Sequence, residues 1–413
     1  MRRETLGISH QRAPGARLSA AIRILALGVV LSATPSALHA QEFKVADKTI
    51  QVHGFGSQGF VWTEGNNWLT MDTTKGSGAM TDFGLNASSQ LTKKFRLGMQ
   101  VYARNLGALG EFQPSVDWAF GDYRFASWLG VRAGKVKTTL GLYTDTQDLD
   151  FLHAFALMPQ SVYPLDLRDA NISHLGGDVY GTVPLGRAGS VSYTAYVGHR
   201  DDSVHSAYPY FLLARGTHDS TYLGHQWGGD VRWNAPVQGL VVGASGLGER
   251  LHGEGIRLGL PNREKSKRPD TTAQYFGQYA NGNLKLDAEY KHFNRDHLIR
   301  NFNSEDIANV RAWYVSGSYR VAKRLELGTY YSHYTITSTF LGLFDTSLPS
   351  GHDYDKVVSS SIDITRFLNL KVEGHFMDGY GFGPYPNGFY PQLNPNGFKP
   401  TTKGLVLKTG FNF

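Results

Sequence analysis

The sequence of 413 residues lacks cysteine altogether, and only 18% of its residues are charged. Without cysteine there is no disulfide scaffold, no thiolate zinc site, no iron–sulfur cluster and no cysteine nucleophile. A typical soluble domain has roughly 25% charged residues, so this chain is poor in charge. The sequence also has no apolar stretch of the roughly 20 residues that a membrane-spanning helix needs.

Glycine and aromatic residues, in contrast, are abundant. The 48 glycines are about 12% of the chain, against a usual share of roughly 7%, and aromatic residues are 13%. The chain has 41 Lys and Arg against 35 Asp and Glu, a net charge of +6, which would suit a nucleic-acid partner. Five of those bases and one of those acids lie within residues 1–40. Without that segment the net charge falls to about +2, so a nucleic-acid partner is not expected.

Residues 1–40 have the three parts of a secretory signal peptide. An arginine-rich start is followed by ten residues, 24–33, that are mostly apolar, and then by small residues that end at Ala40. This order predicts cleavage after Ala40 and export of residues 41–413. The alternative interpretation of the apolar run is a short buried helix.

From Lys48 to the last residue the sequence consists of short segments of alternating polarity, which is typical of β-strands. We count sixteen such segments. Their connections alternate between tight turns and longer loops, and both chain ends lie on the side of the tight turns. The loops are predicted at 64–80, 105–113, 140–171, 200–221, 251–269, 295–309, 338–353 and 380–401. This layout is typical of a bacterial outer-membrane barrel with short periplasmic turns and long extracellular loops.

The alternation within the strands has the sense expected of a membrane barrel. Between residues 283 and 294, Lys285, Asp287, Glu289 and Lys291 share one face and apolar residues share the other. Four charges in succession would be costly in a dry core, but they can line water. The predicted fold is therefore an all-β, transmembrane, antiparallel β-barrel of about 16 strands. Aromatic residues near the strand ends, such as Trp62, Trp68, Trp313-Tyr314 and Tyr330-Tyr331, are predicted to form girdles at the membrane interfaces.

Two segments carry a resemblance to a known family. Residues 116–143, which include Asp117-Trp118 and Gly130-Val131-Arg132, resemble the phosphate-selective porin family of the O and P type. The chain also ends in Phe413, which looks like the terminal signal that outer-membrane proteins present to the barrel assembly machinery. The resemblance implies a trimeric, sixteen-stranded porin whose third extracellular loop folds into the lumen. Here the third loop, about 140–171, is the longest.

Charged residues on the hydrophilic strand faces are the candidates for the pore lining. The basic candidates are Arg96, Arg104, Arg124, Arg132, Arg232, Lys285, Lys291, Arg320, Arg324, Lys371 and Lys408. The acidic candidates on the same faces are Asp122, Asp230, Asp287, Glu289, Glu326, Asp363 and Glu373. The alternative for each basic residue is an ion pair within the wall, such as Arg232 with Asp230 or Arg124 with Asp122.

The candidate constriction loop is acidic. Its charged residues are Asp145, Asp148, Asp150, Asp166, Arg168 and Asp169, whereas the phosphate-selective members of the family have a basic loop. A basic wall that faces an acidic loop would create a transverse field across the pore, with Arg96, Arg104, Arg124 and Arg132 as the basic side.

The sequence thus predicts a passive diffusion porin in the bacterial outer membrane for small hydrophilic, anionic solutes. Its expected partners are outer-membrane lipid, these solutes, the assembly machinery and two further copies of the chain. We expect no enzymatic activity, cofactor or metal, because no catalytic or phosphate-binding motif is complete. An outer-membrane enzyme of the lipase or protease type is the first alternative, and a surface adhesion barrel is the second.

Overall fold

We describe a computed structural model of the chain. The described residues are 41–45, 47–202, 206–213, 216–257, 264–299, 304–339, 345–381 and 387–413. The predicted signal peptide lies outside the described residues and stays a prediction.

The described chain is almost entirely β-structure. Seventeen strands are present, and each of β2 to β16 is antiparallel to the strand that follows it. Their bounds are β1 Gln41–Val45, β2 Lys48–Glu64, β3 Ser77–Gln90, β4 Phe95–Leu106, β5 Ser115–Ala126, β6 Leu129–Lys137, β7 Ser173–Pro184, β8 Ser190–Asp202, β9 Thr217–Asn234, β10 Leu240–Arg257, β11 Glu264–Asn281, β12 Leu284–Ile299, β13 Ser304–Ala322, β14 Leu325–Ser338, β15 His352–Asp363, β16 Leu368–Gly379 and β17 Thr401–Asn412.

The last strand closes the sheet on the first long one. Strand β17 pairs with β2 from Lys403 opposite Glu64 to Asn412 opposite Phe55. The backbone N–H of Phe413 then donates to the carbonyl of Gly54 at 2.9 Å. Strands β2 to β17 therefore form a closed antiparallel barrel of sixteen strands, which confirms the predicted fold. The short strand β1 was not predicted, and it pairs only with the first residues of β2.

The connections follow the predicted arrangement with two exceptions. Strands β10 to β13 extend into the predicted loops 251–269 and 295–309, since β10 ends at Arg257, β11 begins at Glu264, β12 ends at Ile299 and β13 begins at Ser304. Above the membrane both faces of a strand meet polar surroundings, so the backbone ladder continues after the alternation of polarity has ended. None of the described helices is long and apolar enough to cross a membrane.

The outer face of the barrel is apolar and the inner face is charged. On β12, Leu286 is exposed outward, whereas Asp287 and Glu289 point inward and are buried. Leu97, Met99 and Val101 form a similar exposed row on β4. An apolar belt around a closed barrel matches lipid outside and a polar interior within. A sixteen-strand barrel with this belt belongs in the bacterial outer membrane.

The predicted aromatic girdles are only partly correct. Trp62 and Trp128 are exposed on the outside, but Trp68, Tyr314 and Tyr330 are buried inside the barrel. Neighbouring residues on a strand point to opposite faces, so one residue of each predicted pair must face the lumen. Trp68 lies in the loop after β2, which folds over the lumen.

The belt predicts a dependence on depth that can be measured on one strand. Val315 and Val321 of β13 both point outward and are both 49% exposed, but Val321 lies beside the periplasmic turn. We expect Val315→Arg to lower the free energy of unfolding by roughly 2–4 kcal/mol, because it places a charge in the hydrocarbon core, and Val321→Arg by roughly 0–1 kcal/mol. Denaturant titration of both variants in lipid vesicles measures this difference, and equal losses would contradict the assigned belt.

Candidate functional site in the lumen

The connection between β6 and β7, residues 138–172, folds into the barrel, and we call it the inserted loop. Around it, every one of the sixteen barrel strands has at least one inward-facing side chain that is buried. One such residue from each strand, in order, is Val61, Met80, Arg104, Trp118, Val136, His174, Arg200, Gln226, Glu249, Gln274, Glu289, Tyr314, Ser332, Val357, Glu373 and Val406. The lumen is therefore filled at this height.

A carboxylate of β12 forms the first attachment of the inserted loop. Glu289 Oε1 accepts hydrogen bonds from the hydroxyls of Tyr163 and Tyr314, both at 2.6 Å. Its Oε2 accepts from the backbone N–H of Leu142 at 3.0 Å and from Gln274 Nε2 at 2.7 Å. All four donors are buried with it, so this carboxylate joins both ends of the loop to the wall.

The local sequence of the loop permits this close approach. Gly141 has a φ of +72°, and a Cβ built on it would lie 2.0 Å from Gln274 Nε2 and 2.5 Å from Glu289 Oε2. Its N–H donates to Ser245 Oγ at 2.8 Å, and its carbonyl accepts from Arg232 at 3.0 Å. Only glycine combines this backbone conformation with contact to the wall.

Charged residues of β16 and β17 form the second attachment. The Glu373 carboxylate accepts the backbone N–H groups of Ala156 and Leu157 at 2.7 and 3.0 Å. Lys371 donates to the carbonyls of Asp150 and Phe155, and Lys408 donates to Asp150 Oδ1 at 2.8 Å. Glu373 and Lys371 are at most 1% exposed, so water does not reach them. The loop supplies their hydrogen-bond partners instead.

The third attachment consists of two arginines. Arg168 of the loop contacts Asp117 of β5 at 3.0 Å and Asp148 at 2.5 Å, and its guanidinium lies 3.7 Å from the centre of the Tyr102 ring. Arg104 of β4 pairs with Asp169 of the loop at 2.7 Å. Arg168 thus joins the loop both to the wall and to itself.

A more apolar layer covers the extracellular side of the inserted loop. Asp166 accepts hydrogen bonds from the Tyr390 hydroxyl at 2.6 Å and from the Gly388 N–H at 3.1 Å. Burial raises the pKa of the Asp166 carboxyl. Trp68 and Phe389 pack above it, with ring centres 6.4 Å apart. Parts of the loop after β2 and of the last loop therefore form a lid over the lumen.

Most of the predicted lining residues lie on the inner face, but not as a continuous basic wall. Arg96, Arg104, Arg124, Arg132, Arg232, Lys285, Lys291, Arg320, Lys371 and Lys408 point inward, as the strand registers require. The prediction was wrong for Arg324, which lies in the tight turn between β13 and β14 rather than on a strand. Arg232 pairs with Asp230 at 2.5 Å and Arg132 with Asp178 at 2.9 Å, so ion pairs within the wall occur.

The expected field between a basic wall and an acidic loop is also not what the structure contains. Asp148, Asp150 and Asp169 of the loop contact basic residues directly, so their charges are neutralised at short range. Among the residues whose side chains the structure describes, the sequence count also omitted eight inward-facing acids: Asp82, Asp117, Asp178, Asp202, Glu249, Asp270, Asp353 and Asp355. Strand parity would have identified Asp178, whereas Asp117 lies beside a bulge that shifts the parity.

Below the inserted loop the lumen is open to the periplasmic side, and we call this space the vestibule. Its exposed or half-exposed cations are Arg96, Arg124, Arg132, Lys137, Arg232, Lys285 and Arg320, and its half-exposed carboxylates are Asp82, Asp122, Asp145, Asp148, Asp150, Glu326 and Asp363. A cavity of about 240 Å³ lies between Phe151 and Leu152 of the loop and the wall at Lys285 and Arg320. Within the described residues, no group of His, Asp and Glu could hold a metal ion.

Solved structures share this architecture at low sequence identity. OmpF of Salmonella typhi, in complex with daunomycin, is 12% identical with a TM-score of 0.56, and the match covers 90% of this chain and all of that one. An anion-selective porin from Comamonas acidovorans is 12% identical with a TM-score of 0.53, over 89% and 100% of the two chains. OmpT of Vibrio cholerae, in a trimer form, is 13% identical with a TM-score of 0.51, over 89% and 99%. The chain thus has the fold of outer-membrane porins.

No protein-family model matches the sequence, and the search of curated proteins gives no match. The similarity to solved structures therefore concerns the fold alone. The phosphate-selective type that the sequence suggested has no support beyond the residues that carry the resemblance.

The attachments predict which substitutions loosen the inserted loop. Glu289→Ala removes an acceptor shared by four buried donors, so we expect backbone amides of residues 140–165 to exchange hydrogen at least tenfold faster. The matched control is Glu326→Ala, because Glu326 also points inward but accepts only from Ser318 and Arg320 of the wall. Hydrogen–deuterium exchange with mass spectrometry measures both, and equal protection in the two variants would contradict the role of Glu289.

Proposed function

We propose that this protein is an outer-membrane channel for small hydrophilic solutes and that the inserted loop closes it. The observation that carries the proposal is the charged inner wall, which continues from the water-filled vestibule to the strands behind the loop. A barrel that served only as an anchor or a surface adhesin would not need charged side chains along its inner wall. The polar attachments of the loop are hydrogen bonds and ion pairs, for which water can substitute when the loop moves.

We further propose a weak preference for anions, set in the vestibule. Seven cations and seven carboxylates are exposed or half-exposed there, but Arg96 and Arg124 are exposed whereas the carboxylates are half-exposed, so the charge that reaches furthest into water is positive. Arg124 and Arg132 lie beside each other and beside the Tyr180 ring, at 6.0 and 4.7 Å from its centre. These two arginines form the most concentrated positive charge that reaches water.

A trimeric assembly is also part of the proposal. One structural neighbour is an OmpT trimer form, and strands β4 to β7 of this chain are only 9–12 residues long, against 16–19 in β9 to β13. Such a low wall can lie at the centre of an oligomer, while the higher wall faces lipid. An outer-membrane enzyme remains the alternative, and bilayer recordings distinguish the two because an enzyme need not conduct.

A disulfide can test whether the loop closes the channel, since the chain has no cysteine of its own. Ser161 of the loop and Ser332 of β14 have their hydroxyl oxygens 2.7 Å apart. We expect the oxidised Ser161→Cys/Ser332→Cys variant to lose at least nine-tenths of the ion conductance of the unmodified protein. Reduction with dithiothreitol should restore the conductance within the same planar bilayer.

The control is a disulfide within the wall. Thr182 of β7 and Ser192 of β8 have hydroxyl oxygens 3.0 Å apart and do not contact the loop. The oxidised Thr182→Cys/Ser192→Cys variant should conduct as well as the unmodified protein. Full conductance of the oxidised loop variant would show that solutes pass without movement of the loop, and absence of conductance in all forms would refute the channel.

The charge preference has its own measurement, the zero-current potential across a bilayer in a salt gradient. We expect a weakly anion-selective value for the unmodified protein and a shift toward cations in Arg124→Gln/Arg132→Gln, because that variant removes two water-facing positive charges. The control Lys48→Gln/Lys403→Gln removes two cations outside the lumen and should leave the potential unchanged. Strong cation selectivity of the unmodified protein would contradict the proposed preference.

A further inference from the structure

The inserted loop presents two apolar side chains to water in the vestibule. Phe151 and Leu152 are 46% and 47% exposed. Among the residues of this loop, all of which the structure describes, they are the large apolar side chains that are exposed. Exposed apolar residues of the strands, such as Leu286 and Val315, face lipid, whereas Phe151 and Leu152 line the vestibule cavity of about 240 Å³. A ligand with an apolar group would remove their surface from water.

The wall on the other side of this cavity is charged. Its charged residues are Lys285 of β12, Arg320 of β13, Glu326 of β14 and Asp363 of β15. Each lies within three residues of the periplasmic end of its strand, so the four charges share one level of the barrel. Two positive and two negative charges give the wall no net charge. A ligand with charge of only one sign would therefore meet as many repelling groups as attracting ones.

One cation and one carboxylate of this wall have free hydrogen-bonding capacity. Among the described residues, Lys285 Nζ donates no hydrogen bond, and its closest carboxylate is Asp287 at 4.0 Å. Asp363 accepts from Arg320 at 2.8 Å through Oδ2, while its Oδ1 accepts no hydrogen bond from the side chains that the structure describes. Arg320 and Glu326 are already paired with each other at 2.9 Å. The cavity thus offers one donor group and one acceptor group of opposite charge.

Lys285 and Asp363 are placed so that one small molecule can contact both. Strands β12 and β15 are three inter-strand spacings apart, roughly 14 Å along the wall. Both side chains point inward, where the curvature of the barrel brings them closer together than their backbones are. The long stem of the lysine shortens the distance between the charged groups further. Phe151 and Leu152 lie across the same cavity from this wall.

We propose that this cavity binds a small zwitterion with an apolar side chain, namely an apolar α-amino acid, from the periplasmic side. The carboxylate of the ligand binds Lys285, its ammonium group binds Asp363, and its side chain packs against Phe151 and Leu152. A cavity of roughly 150 Å³ holds a benzene molecule, so about 240 Å³ accommodates an apolar side chain together with the charged backbone. The cavity is accessible with the inserted loop in place, so binding does not depend on the proposed channel.

Isothermal titration calorimetry of the detergent-solubilised mature protein can test this assignment. L-phenylalanine carries all three recognised groups, whereas 3-phenylpropanoate lacks the ammonium group, 2-phenylethylamine lacks the carboxylate and glycine lacks the apolar side chain. We expect L-phenylalanine to bind at least tenfold more tightly than each of the others, because every missing group leaves one contact unmade. Equal affinity of one of these analogues would refute the contact assigned to its missing group, and absence of binding by L-phenylalanine would refute the site.

Substitutions locate the binding of L-phenylalanine within the barrel. Lys285→Gln and Phe151→Ser/Leu152→Ser should each weaken it at least tenfold. The control Arg96→Gln removes a vestibule cation that does not line the cavity, and the control Leu185→Ser/Val237→Ser removes exposed apolar side chains of two tight turns. Both controls should bind normally, and normal binding by the cavity variants as well would refute this location. The comparison of ligands uses the unmodified protein, so it remains decisive where a variant fails to fold. Calorimetry requires no conductance, so its result is independent of the proposed channel.

Discussion

Pairing of β17 with β2 is the constraint on which the rest of the structure depends. Lipid offers no hydrogen-bonding groups, so a sheet that spans the membrane must close and leave no free edge. The register from Lys403 to Asn412 closes it, and the hydrogen bonds between Phe413 and Gly54 extend the closure to the last residue. Once the barrel is closed, side chains alternate between lipid and the lumen along each strand. Within the membrane the polar side chains must therefore face the lumen.

This division determines what can fill the lumen. Inward carboxylates such as Glu289 and Glu373 are costly to bury without donors, because each unpaired charge would lose several kcal/mol of hydration. The inserted loop supplies those donors from its backbone at Leu142, Ala156 and Leu157. Loop and wall are therefore complementary in their hydrogen bonds, and apolar packing adds to them. The apolar cluster around Trp68 and Phe389 extends down to Leu142, Leu157 and Val162 of the loop.

The sequence was sufficient for the barrel because its signals are local. Alternation in segments such as 283–294 fixes which face of a strand is polar, and the turns fix how many strands there are. Strand ends above the membrane carry no such signal, so Ser304 and Glu264 were placed in loops. The inner faces of the strands were partly predictable for the same reason, as Lys285 and Lys371 show. The partners of these residues were not, since Lys371 contacts Asp150, which is 221 positions away in sequence.

The distribution of the loop's attachments has a consequence for how the lumen can open. Each hydrogen bond exchanged for one with water costs only about 0.5–1.5 kcal/mol net, whereas separation of the apolar layer exposes surface at about 25 cal/mol per Å². The half of the loop around Asp150, which lies next to the vestibule, is held by polar contacts that water can replace and by the small apolar cluster of Phe155 with Tyr330 and Val357. The half around Asp166 lies under Trp68, Phe389 and Tyr390. Movement of the loop should therefore begin on the periplasmic side, where water already reaches it, while the covered half stays attached to the lid.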